Sequence, residues 1–243
     1  MPQILQRLVL ALTLGLGAVL AFPAAQAATP DNPLRIGIIG TGRIGSALAR
    51  AWVKAGHEVF VSSRHPDELK ALVAELGSRA HAGTPREAAA FGTVVLISIP
   101  YRAMPQIGTD FHAELAGKVI LDTSNPSAGR DGAMAVDAQK KGAGLTTAEL
   151  LHSTRIVRAF NCIGAGSLAS DGFRKPEQLA IPIGGDDAQA LAVAERLVHE
   201  IGFDPVVIGS LARTRVFDLG QPLATGSLTA AQMRSKAGQL APQ

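Results

Sequence analysis

Short apolar runs alternate with stretches of helical periodicity along most of the chain. The apolar runs are rich in β-branched residues and predict buried strands at residues 34–39, 58–62, 93–99, 118–121, 155–160, 178–183 and 204–208, with a short strand at 79–82. The first helical stretch carries Ile44, Leu48 and Trp52 on one face and stops at Gly56. This alternation predicts an α/β fold whose sheet is mostly parallel.

Further helices are expected between these strands. They cover residues 66–76, 85–90, 102–115, 147–153 and 164–169, and a well-patterned helix follows Asp187. The glycine-rich stretch 127–144 predicts a loop with one helix near 133–140. From Ser210 onward the pattern changes to helical pieces near 211–219 and 229–237. We interpret residues 210–243 as a short C-terminal helical appendage.

A glycine-rich turn joins the first strand to the first helix. Gly40, Gly42 and Gly45 have the spacing G-x-G-x-x-G, and the intervening residues are Thr41, Arg43 and Ile44. The first glycine makes the tight turn, the second leaves room for a pyrophosphate, and the third lets helix and strand pack closely. The start of the helix adds free N–H groups and a partial positive charge. Because strand, turn, helix and second strand occur in this order, residues 34–209 are predicted to form a Rossmann-like, doubly wound dinucleotide-binding domain.

The residues after the second strand indicate which dinucleotide is bound. Sites for NAD usually place an Asp or Glu there, whereas this chain has Ser62, Ser63 and Arg64. Two hydroxyl groups can donate to a ribose phosphate, and a guanidinium group can bind it through two hydrogen bonds. The segment therefore predicts that the domain binds NADP(H). The alternative is a solvated arginine in a turn.

Residues at three other strand ends complete the expected site, because ligands of such a sheet bind beyond the carboxyl ends of its strands. These residues are Ser98, Ile99, Pro100, Asn125, Phe160 and Asn161. We expect Asn125 and Asn161 to hydrogen-bond the nicotinamide carboxamide. We expect Ile99, Pro100 and Phe160 to shield the nicotinamide ring, so that all five position the cofactor. Each asparagine could instead be a loop residue that satisfies backbone groups.

The first 33 residues precede the domain and have the composition of an export signal. Arg7 is the single charged residue among the first thirty, residues 8–22 are apolar, and Ala25 and Ala27 form a small-x-small cleavage pattern. We predict a signal peptide over residues 1–27 and a linker over 28–33. The domain is then expected in the periplasm or outside the cell, with no stable membrane span after cleavage. An uncleaved anchor is the alternative, although the apolar stretch is shorter than the roughly 20 residues that span a bilayer.

Charge, cysteine content and acidic residues add further expectations. The net charge of +3 is distributed over 243 residues without a basic run, so nucleic acid is not an expected partner. Cys162 is the single cysteine, which excludes an internal disulfide, and we expect it to be a small buried residue. Asp186 and Asp187 precede a helix, and we expect them to cap it rather than to bind a metal. No histidine pair has supported metal-ligand spacing, so no metal site is expected.

Several motifs occur together in an order that resembles one enzyme family. They are GTGRIGSALARAWVKAGHEVFVSSR, ISIPY, VILDTSNP, VRAFN and IPIGGDD, within residues 34–216. The set is similar to the NADPH-dependent reductases of the deazaflavin coenzyme and to the related reductase domains of six-transmembrane metalloreductases. The resemblance implies NADP(H) binding through residues 40–44, Ser63 and Arg64, with the nicotinamide near Ile99, Pro100 and residues 159–161. It also implies a homodimer, although the C-terminal region of this chain is shorter and different.

The expected reaction is hydride transfer between NADPH and a small-molecule electron acceptor, either the deazaflavin coenzyme or a flavin. Such transfer depends on holding two rings at reacting distance and needs no strong general acid. Tyr101 is followed four residues later by Pro105 rather than by lysine, which disfavours a Tyr-x-x-x-Lys carbonyl reductase. A carbonyl or imine substrate would need a proton donor, for which Tyr101 and His152 are the candidates. A further alternative is an exported module that binds NADP(H) without turnover.

Overall fold

A computed structural model describes residues 32–240, which form an eight-stranded sheet flanked by helices. The strands are β1 (Arg35–Ile39), β2 (Glu58–Ser62), β3 (Ala80–Gly83), β4 (Val94–Ile97), β5 (Val119–Asp122), β6 (Arg155–Arg158), β7 (Ala180–Gly185) and β8 (Asp204–Gly209). Their spatial order is β3-β2-β1-β4-β5-β6-β7-β8, and the first six strands are parallel to one another. The chain reverses its direction of winding between β1 and β4, which makes the sheet doubly wound. The predicted Rossmann-like α/β fold is therefore confirmed, whereas the predicted signal peptide lies outside the described residues.

Helices connect the strands. They are α1 (Arg43–Lys54), α2 (Lys70–Leu76), α3 (Pro85–Phe91), α4 (Met104–Asp110), α5 (His112–Leu115), α6 (Ala128–Asp131), α7 (Ala133–Lys141), α8 (Ala143–Leu150), α9 (Ala165–Ser170), α10 (Ala188–Glu200) and α11 (Ala230–Gly238). Short 3₁₀ turns cover Pro66–Leu69, Tyr101–Ala103 and Ala212–Phe217. None of the helices within residues 32–240 has both the length and the apolar composition needed to cross a bilayer.

The predicted strands agree with the structure to within two residues at either end. The helix predicted near 133–140 is confirmed as α7, whereas the loop predicted around it is wrong, because α6 and the start of α8 occupy much of the rest of 127–144. Gly132 and Gly142 both have positive φ, of 70° and 104°, and each ends one helix and begins the next. These two glycines thus separate short helices, although the glycine-rich composition of residues 127–144 had indicated an irregular loop.

The last two strands run opposite to the other six. β7 is antiparallel to β6, with Val157 opposite Gly185 and Arg158 opposite Gly184, and β8 is parallel to β7. Gly184 is also the partner of Gly209 at the end of β8. The chain after Gly209 therefore begins close to Arg158, at the carboxyl end of β6.

Apolar residues fill both faces of the sheet. In β4, Val94 and Leu96 belong to the core that contains Trp52 of α1, whereas Val95 and Ile97 pack with residues on the opposite face. This alternation follows from the two-residue period of a strand, and burial on both faces is typical of a central parallel strand.

The segment after β8 packs against the sheet. Phe217 and Met233 are fully buried and form a third apolar cluster with Val206 and Ile208 of β8. Residues 210–240 therefore continue the packing of β7 and β8, and they bring the 3₁₀ turn Ala212–Phe217 towards the carboxyl ends of β5 and β6.

Candidate functional site

Close backbone contacts shape the turn after β1. Gly40 has a φ of +100°, and a Cβ atom at this residue would lie 2.3 Å from the carbonyl oxygen of Ser98. A Cβ atom on Gly45 would lie 2.2 Å from the carbonyl oxygen of Gly40. Glycine at both positions therefore lets α1 begin directly against β1 and β4.

The amino end of α1 is open. Gly42 is the N-cap residue, no side chain caps the helix, and a Cβ atom on Gly42 would meet no other atom within 4 Å. Arg43 and Ile44 follow in the first turn, and the Arg43 side chain is exposed. Uncapped N–H groups, the helix dipole and the open space together suit an anionic diphosphate. The residues present thus fit the pyrophosphate of a dinucleotide.

Thr41 joins the ends of β1 and β2. Its hydroxyl donates to the Ser62 carbonyl oxygen at 2.9 Å and accepts from the Ser62 N–H at 3.0 Å. The Ser62 hydroxyl donates to the Ile38 carbonyl oxygen at 2.7 Å, and Ser62 is only 1% exposed. The prediction that the Ser62 hydroxyl donates to a ribose phosphate is therefore wrong, because its hydrogen is used inside the sheet.

Ser63 and Arg64 lie just beyond β2, beside the glycine turn. The Ser63 hydroxyl oxygen accepts from the His65 N–H at 3.0 Å, which leaves its own hydrogen available to a ligand. The Arg64 side chain is exposed, and within residues 32–240 no carboxylate lies within ion-pair distance of it. These two residues occupy the place where the sequence predicts recognition of the phosphate.

The carboxyl end of β4 lies against the glycine turn. The Ser98 N–H donates to the Ile39 carbonyl oxygen at 2.9 Å, and Ile99 Cγ2 would lie 2.8 Å from a Cβ atom on Gly40. Ile99 is half-buried and Pro100 is exposed. Both residues border the crevice between β1 and β4, and their contact with a nicotinamide ring stays a prediction.

Asn125 and Asn161 are brought together from the ends of β5 and β6. Asn125 Nδ2 donates to the Asn161 carbonyl oxygen at 2.7 Å, and Asn161 Nδ2 donates to the Phe217 carbonyl oxygen at 2.9 Å. Asn161 is 8% exposed, and its Oδ1 atom is buried with no hydrogen-bond partner among the described residues. An unpartnered buried acceptor is costly, so this oxygen is suited to a donor on a ligand such as a carboxamide N–H.

Phe160 lies in the core rather than in the crevice. It is 1% exposed, and its ring meets the ring of Trp52 nearly edge-on, with 5.9 Å between centroids. Its φ of +60° is unusual for a bulky residue and turns the chain sharply after β6. The prediction that the Phe160 side chain shields a nicotinamide ring is therefore wrong, since packing against α1 determines its direction.

The two candidate proton donors are not in the crevice. Tyr101 is fully buried, and its hydroxyl donates to the Ala143 carbonyl oxygen at 3.1 Å. Burial raises the pKa of Tyr101 to about 12. His152 precedes β6, close to where Ser153 accepts from Gly117, and it therefore lies at the amino edge of the sheet. Neither side chain is placed to protonate a substrate at the carboxyl edge.

A buried ionic cluster, which the sequence analysis missed, supports the ends of β5 and β6. Arg158 is fully buried and donates to Asp122 Oδ2 at 3.0 Å, to the Ser124 carbonyl oxygen at 2.6 Å and to Asp218 Oδ1 at 2.9 Å. Burial alone lowers the pKa of Arg158, but the two carboxylates raise it above its ordinary value. An arginine within the apolar run Ile156–Ala159 was the available signal, because a charge buried in a strand requires partners.

Asp187 and Asp186 have different roles. Asp187 caps α10 by accepting from the Ala190 N–H at 2.7 Å, as predicted. Asp186 instead accepts from the Leu211 N–H at 2.9 Å, so its predicted capping role is wrong. Within residues 32–240 no three His, Cys, Asp or Glu side chains are grouped as metal ligands would be.

Cys162 directly follows Asn161 and is half-buried. Its thiol donates to the Phe217 carbonyl oxygen at 3.0 Å. Burial raises the pKa of the thiol to about 12, so it is un-ionised at neutral pH. The sequence predicted a small buried residue, and the residue is half-buried instead.

A cavity of about 790 Å³ begins at the glycine turn and extends along the outer face of α1 towards α9. Thr41, Gly42 and Arg43 line its first part, and Phe173 and Ile201 lie at the other end. Most of this cavity points away from the crevice at the strand ends. It therefore adds space for a ligand at the start of α1 but does not include the asparagine pair.

Comparison with known proteins agrees with this geometry. Residues 35–126 match the family model described as "NADP oxidoreductase coenzyme F420-dependent"; coenzyme F420 is the deazaflavin coenzyme. The F420-dependent NADP reductase of Methanothermobacter marburgensis is 30% identical over 205 residues, which cover 78% of this chain and 90% of that protein. The chain belongs to this family. The predicted family and the predicted class, an NADP-dependent oxidoreductase, are thereby confirmed.

Two further similarities extend the comparison. The metalloreductase STEAP3 of Rattus norvegicus is 29% identical over 196 residues, which cover 78% of this chain. This chain spans only 36% of the length of that metalloreductase. The crystal structure of the hypothetical protein SMa0349 from Sinorhizobium meliloti superposes with a TM-score of 0.72 and 26% identity, covering 82% of this chain and 96% of that one. The fold is thus shared over nearly the whole of a solved structure.

Proposed function

We propose that this oxidoreductase transfers a hydride between NADPH and a deazaflavin- or flavin-like acceptor in the crevice at the carboxyl ends of β1, β4, β5 and β6. The observation that carries the proposal is the uncapped start of α1 at Gly42, with open space in front of it and the exposed Arg64 beside it. The family model and the two Methanothermobacter reductases support the same cofactor and acceptor.

Each group of residues has a separate task in this proposal. The N–H groups that follow Gly42 bind the diphosphate, and Ser63 and Arg64 bind the ribose phosphate that distinguishes NADP(H) from NAD(H). Ile99 and Pro100 border the nicotinamide ring, and Asn161 Oδ1 accepts a hydrogen bond from its carboxamide. When bound, NADPH supplies the hydride. The protein then contributes orientation, because reactants that are held together react as one molecule.

The same geometry disfavours a carbonyl or imine substrate. Reduction of such a substrate needs a proton donor in the crevice. Tyr101 is locked against Ala143 inside the fold, and His152 lies at the other edge of the sheet. A hydride acceptor with its own conjugated ring system needs no donor of this kind, which favours the deazaflavin or flavin class.

The preference for NADP(H) is tested at Arg64. We expect Arg64→Gln to weaken NADPH binding by about tenfold to a hundredfold, the factor that a charge-assisted hydrogen bond contributes, and to leave NADH binding unchanged. Titration of both cofactors against the wild type and the variant measures this ratio. Arg79→Gln, at an exposed arginine before β3 on the amino edge, is the matched control. An unchanged NADPH-to-NADH ratio in Arg64→Gln would contradict the role of this arginine.

Turnover is tested with a panel of acceptors. We expect NADPH oxidation, followed near 340 nm, with the deazaflavin coenzyme or with a flavin, and no oxidation with simple carbonyl compounds or imines. Cofactor binding without turnover on any acceptor would instead identify a binding module.

The location and assembly of the protein are also proposals. We propose that residues 1–27 direct export and are removed, so that the domain acts in the periplasm or outside the cell, and that two copies associate. N-terminal sequencing of the native protein tests the cleavage, and sedimentation tests the dimer. A chain that begins at Met1, or a monomer at all concentrations, would contradict the respective proposal.

A further inference from the structure

A second cavity, of about 280 Å³, lies next to the asparagine pair. Its lining residues are Pro126, Gln139, Arg215, Asp218, Leu219 and Gln221. The cavity is therefore formed between the chain that follows β5 and the C-terminal segment that follows β8.

Two connections join this cavity to the crevice. Pro126 directly follows Asn125, and its carbonyl oxygen accepts from Gln139 Nε2 at 3.0 Å. On the other side, the Phe217 carbonyl oxygen accepts from both Asn161 Nδ2 and the Cys162 thiol, immediately before Asp218. Asn125 is thus the covalent neighbour of one lining residue, Pro126, and Asn161 is hydrogen-bonded to the residue that precedes another, Asp218.

The charged groups in the cavity differ in how they are satisfied. Asp218 Oδ1 accepts from Arg158 and Asp218 Oδ2 accepts from the Ala143 N–H at 2.9 Å, so both carboxylate oxygens are engaged with buried donors. Arg215 is exposed, and within residues 32–240 no carboxylate is within ion-pair distance of its guanidinium. An arginine in this state can bind a phosphate or carboxylate through two hydrogen bonds.

We propose that this cavity binds an anionic group, a phosphate or carboxylate, on the side chain of the electron acceptor, with Arg215 as the main contact. The proposal rests on the proposed function, since it assumes a ring acceptor beside the asparagine pair. Gln139 and Gln221 supply amide groups at the cavity wall, and Leu219, which is 64% exposed, offers an apolar surface to the linking chain of the acceptor. Arg215 then determines which acceptors bind well and takes no part in hydride transfer.

Riboflavin and FMN provide a matched pair of probes, because they have the same ring system and differ by one phosphate. We expect the wild-type protein to bind FMN about tenfold to a hundredfold more tightly than riboflavin. Arg215→Gln should remove most of this difference by weakening FMN alone, and Arg215→Lys should restore part of it. Affinities are measured by titration with and without NADP⁺, so the result does not depend on turnover. Arg234→Gln, at an exposed arginine of α11, is the control and should behave as the wild type.

The outcomes separate the two proposals. A loss of the FMN preference in Arg215→Gln supports this anion site even if no acceptor is reduced, in which case the proposed reaction fails alone. Equal affinities for FMN and riboflavin in the wild type, or no binding of either, would overturn the anion site.

Arg215 could instead offset the single net negative charge of the cluster Asp122, Arg158 and Asp218. That role predicts a lower melting temperature in Arg215→Gln with an unchanged FMN-to-riboflavin ratio, and this result would also overturn the proposal.

Discussion

At the scale of the residue, Arg158 shows how a single side chain can support a site without entering it. Its guanidinium group joins Asp122 at the end of β5, the Ser124 carbonyl oxygen and Asp218 after the last 3₁₀ turn. Thr147 adds a hydrogen bond to Asp122 Oδ2 at 2.8 Å. The cluster therefore fixes the backbone on both sides of the asparagine pair. A buried ion pair adds little net stability, but losing one partner leaves the other charges uncompensated.

Replacement of Arg158 tests this role. We expect Arg158→Met to lower the free energy of unfolding by about 3–5 kcal/mol, because two buried carboxylates lose their shared cation. Arg155→Met, on the same strand but with a half-exposed side chain, should lower it by about 1 kcal/mol or less. Urea unfolding of both variants measures the difference. Equal effects in the two variants would show that the cluster does not hold the strand ends together.

At the scale of the element, the start of α1 contains two glycines with different structural roles. Gly45 faces the Gly40 carbonyl oxygen and is required for packing, whereas Gly42 faces open space. The G-x-G-x-x-G spacing predicted both roles, because each follows from the local geometry of a strand, a tight turn and a helix. Of the helices within residues 127–144, α7 was predicted, whereas α6 and the start of α8 were missed, since a short helix beside a glycine has too few residues for a periodic pattern.

The two glycines give opposite predictions for stability and binding. Gly42→Ala should lower the free energy of unfolding by about 1 kcal/mol or less, because alanine is a poorer N-cap than glycine. It should weaken NADPH binding at least about tenfold, because the methyl group occupies the space of the diphosphate. Gly45→Ala should cost about 1–3 kcal/mol of stability through overpacking.

Thermal or urea unfolding combined with NADPH titration distinguishes the two effects. Gly164→Ala, at the N-cap of α9 and also in open space, is the control and should lower stability by a similar small amount while leaving NADPH binding unchanged. Wild-type NADPH affinity in Gly42→Ala would place the diphosphate elsewhere.

At the scale of the whole molecule, His57 links three distant parts of the chain. Its Nδ1 accepts from the Leu34 N–H at 3.1 Å, and its Nε2 donates to Glu200 Oε2 at 2.7 Å. The ring is fully buried, and burial lowers its pKa below the ordinary value of 6.5 although Glu200 acts in the opposite direction. A neutral imidazole thus connects the residue before β1, the residue before β2 and the end of α10.

The pH dependence of stability tests this arrangement. Between the native and unfolded pKa values of His57 the unfolded state binds more protons, so the free energy of unfolding must fall as pH decreases below about 6.5. We therefore expect the free energy of unfolding to be lower at pH 5.5 than at pH 7.5. Urea unfolding at both values should show a smaller loss in His57→Gln, whereas His112→Gln, at an exposed position, should resemble the wild type. An undiminished loss in His57→Gln would assign the effect to other groups.

The sequence by itself determined the strand-turn-helix unit, the positions of the strands along the chain and the polar residues at their carboxyl ends. These features follow from local periodicity and from glycine geometry, which neighbouring residues control. Only the tertiary structure decided that β7 runs antiparallel, that the Ser62 hydroxyl and Phe160 ring turn inward, and that Asp186 binds Leu211. Each of these depends on a partner more than twenty residues away. The direction of a side chain or strand is set by the packing of such partners, which the pattern of apolar and polar positions does not encode.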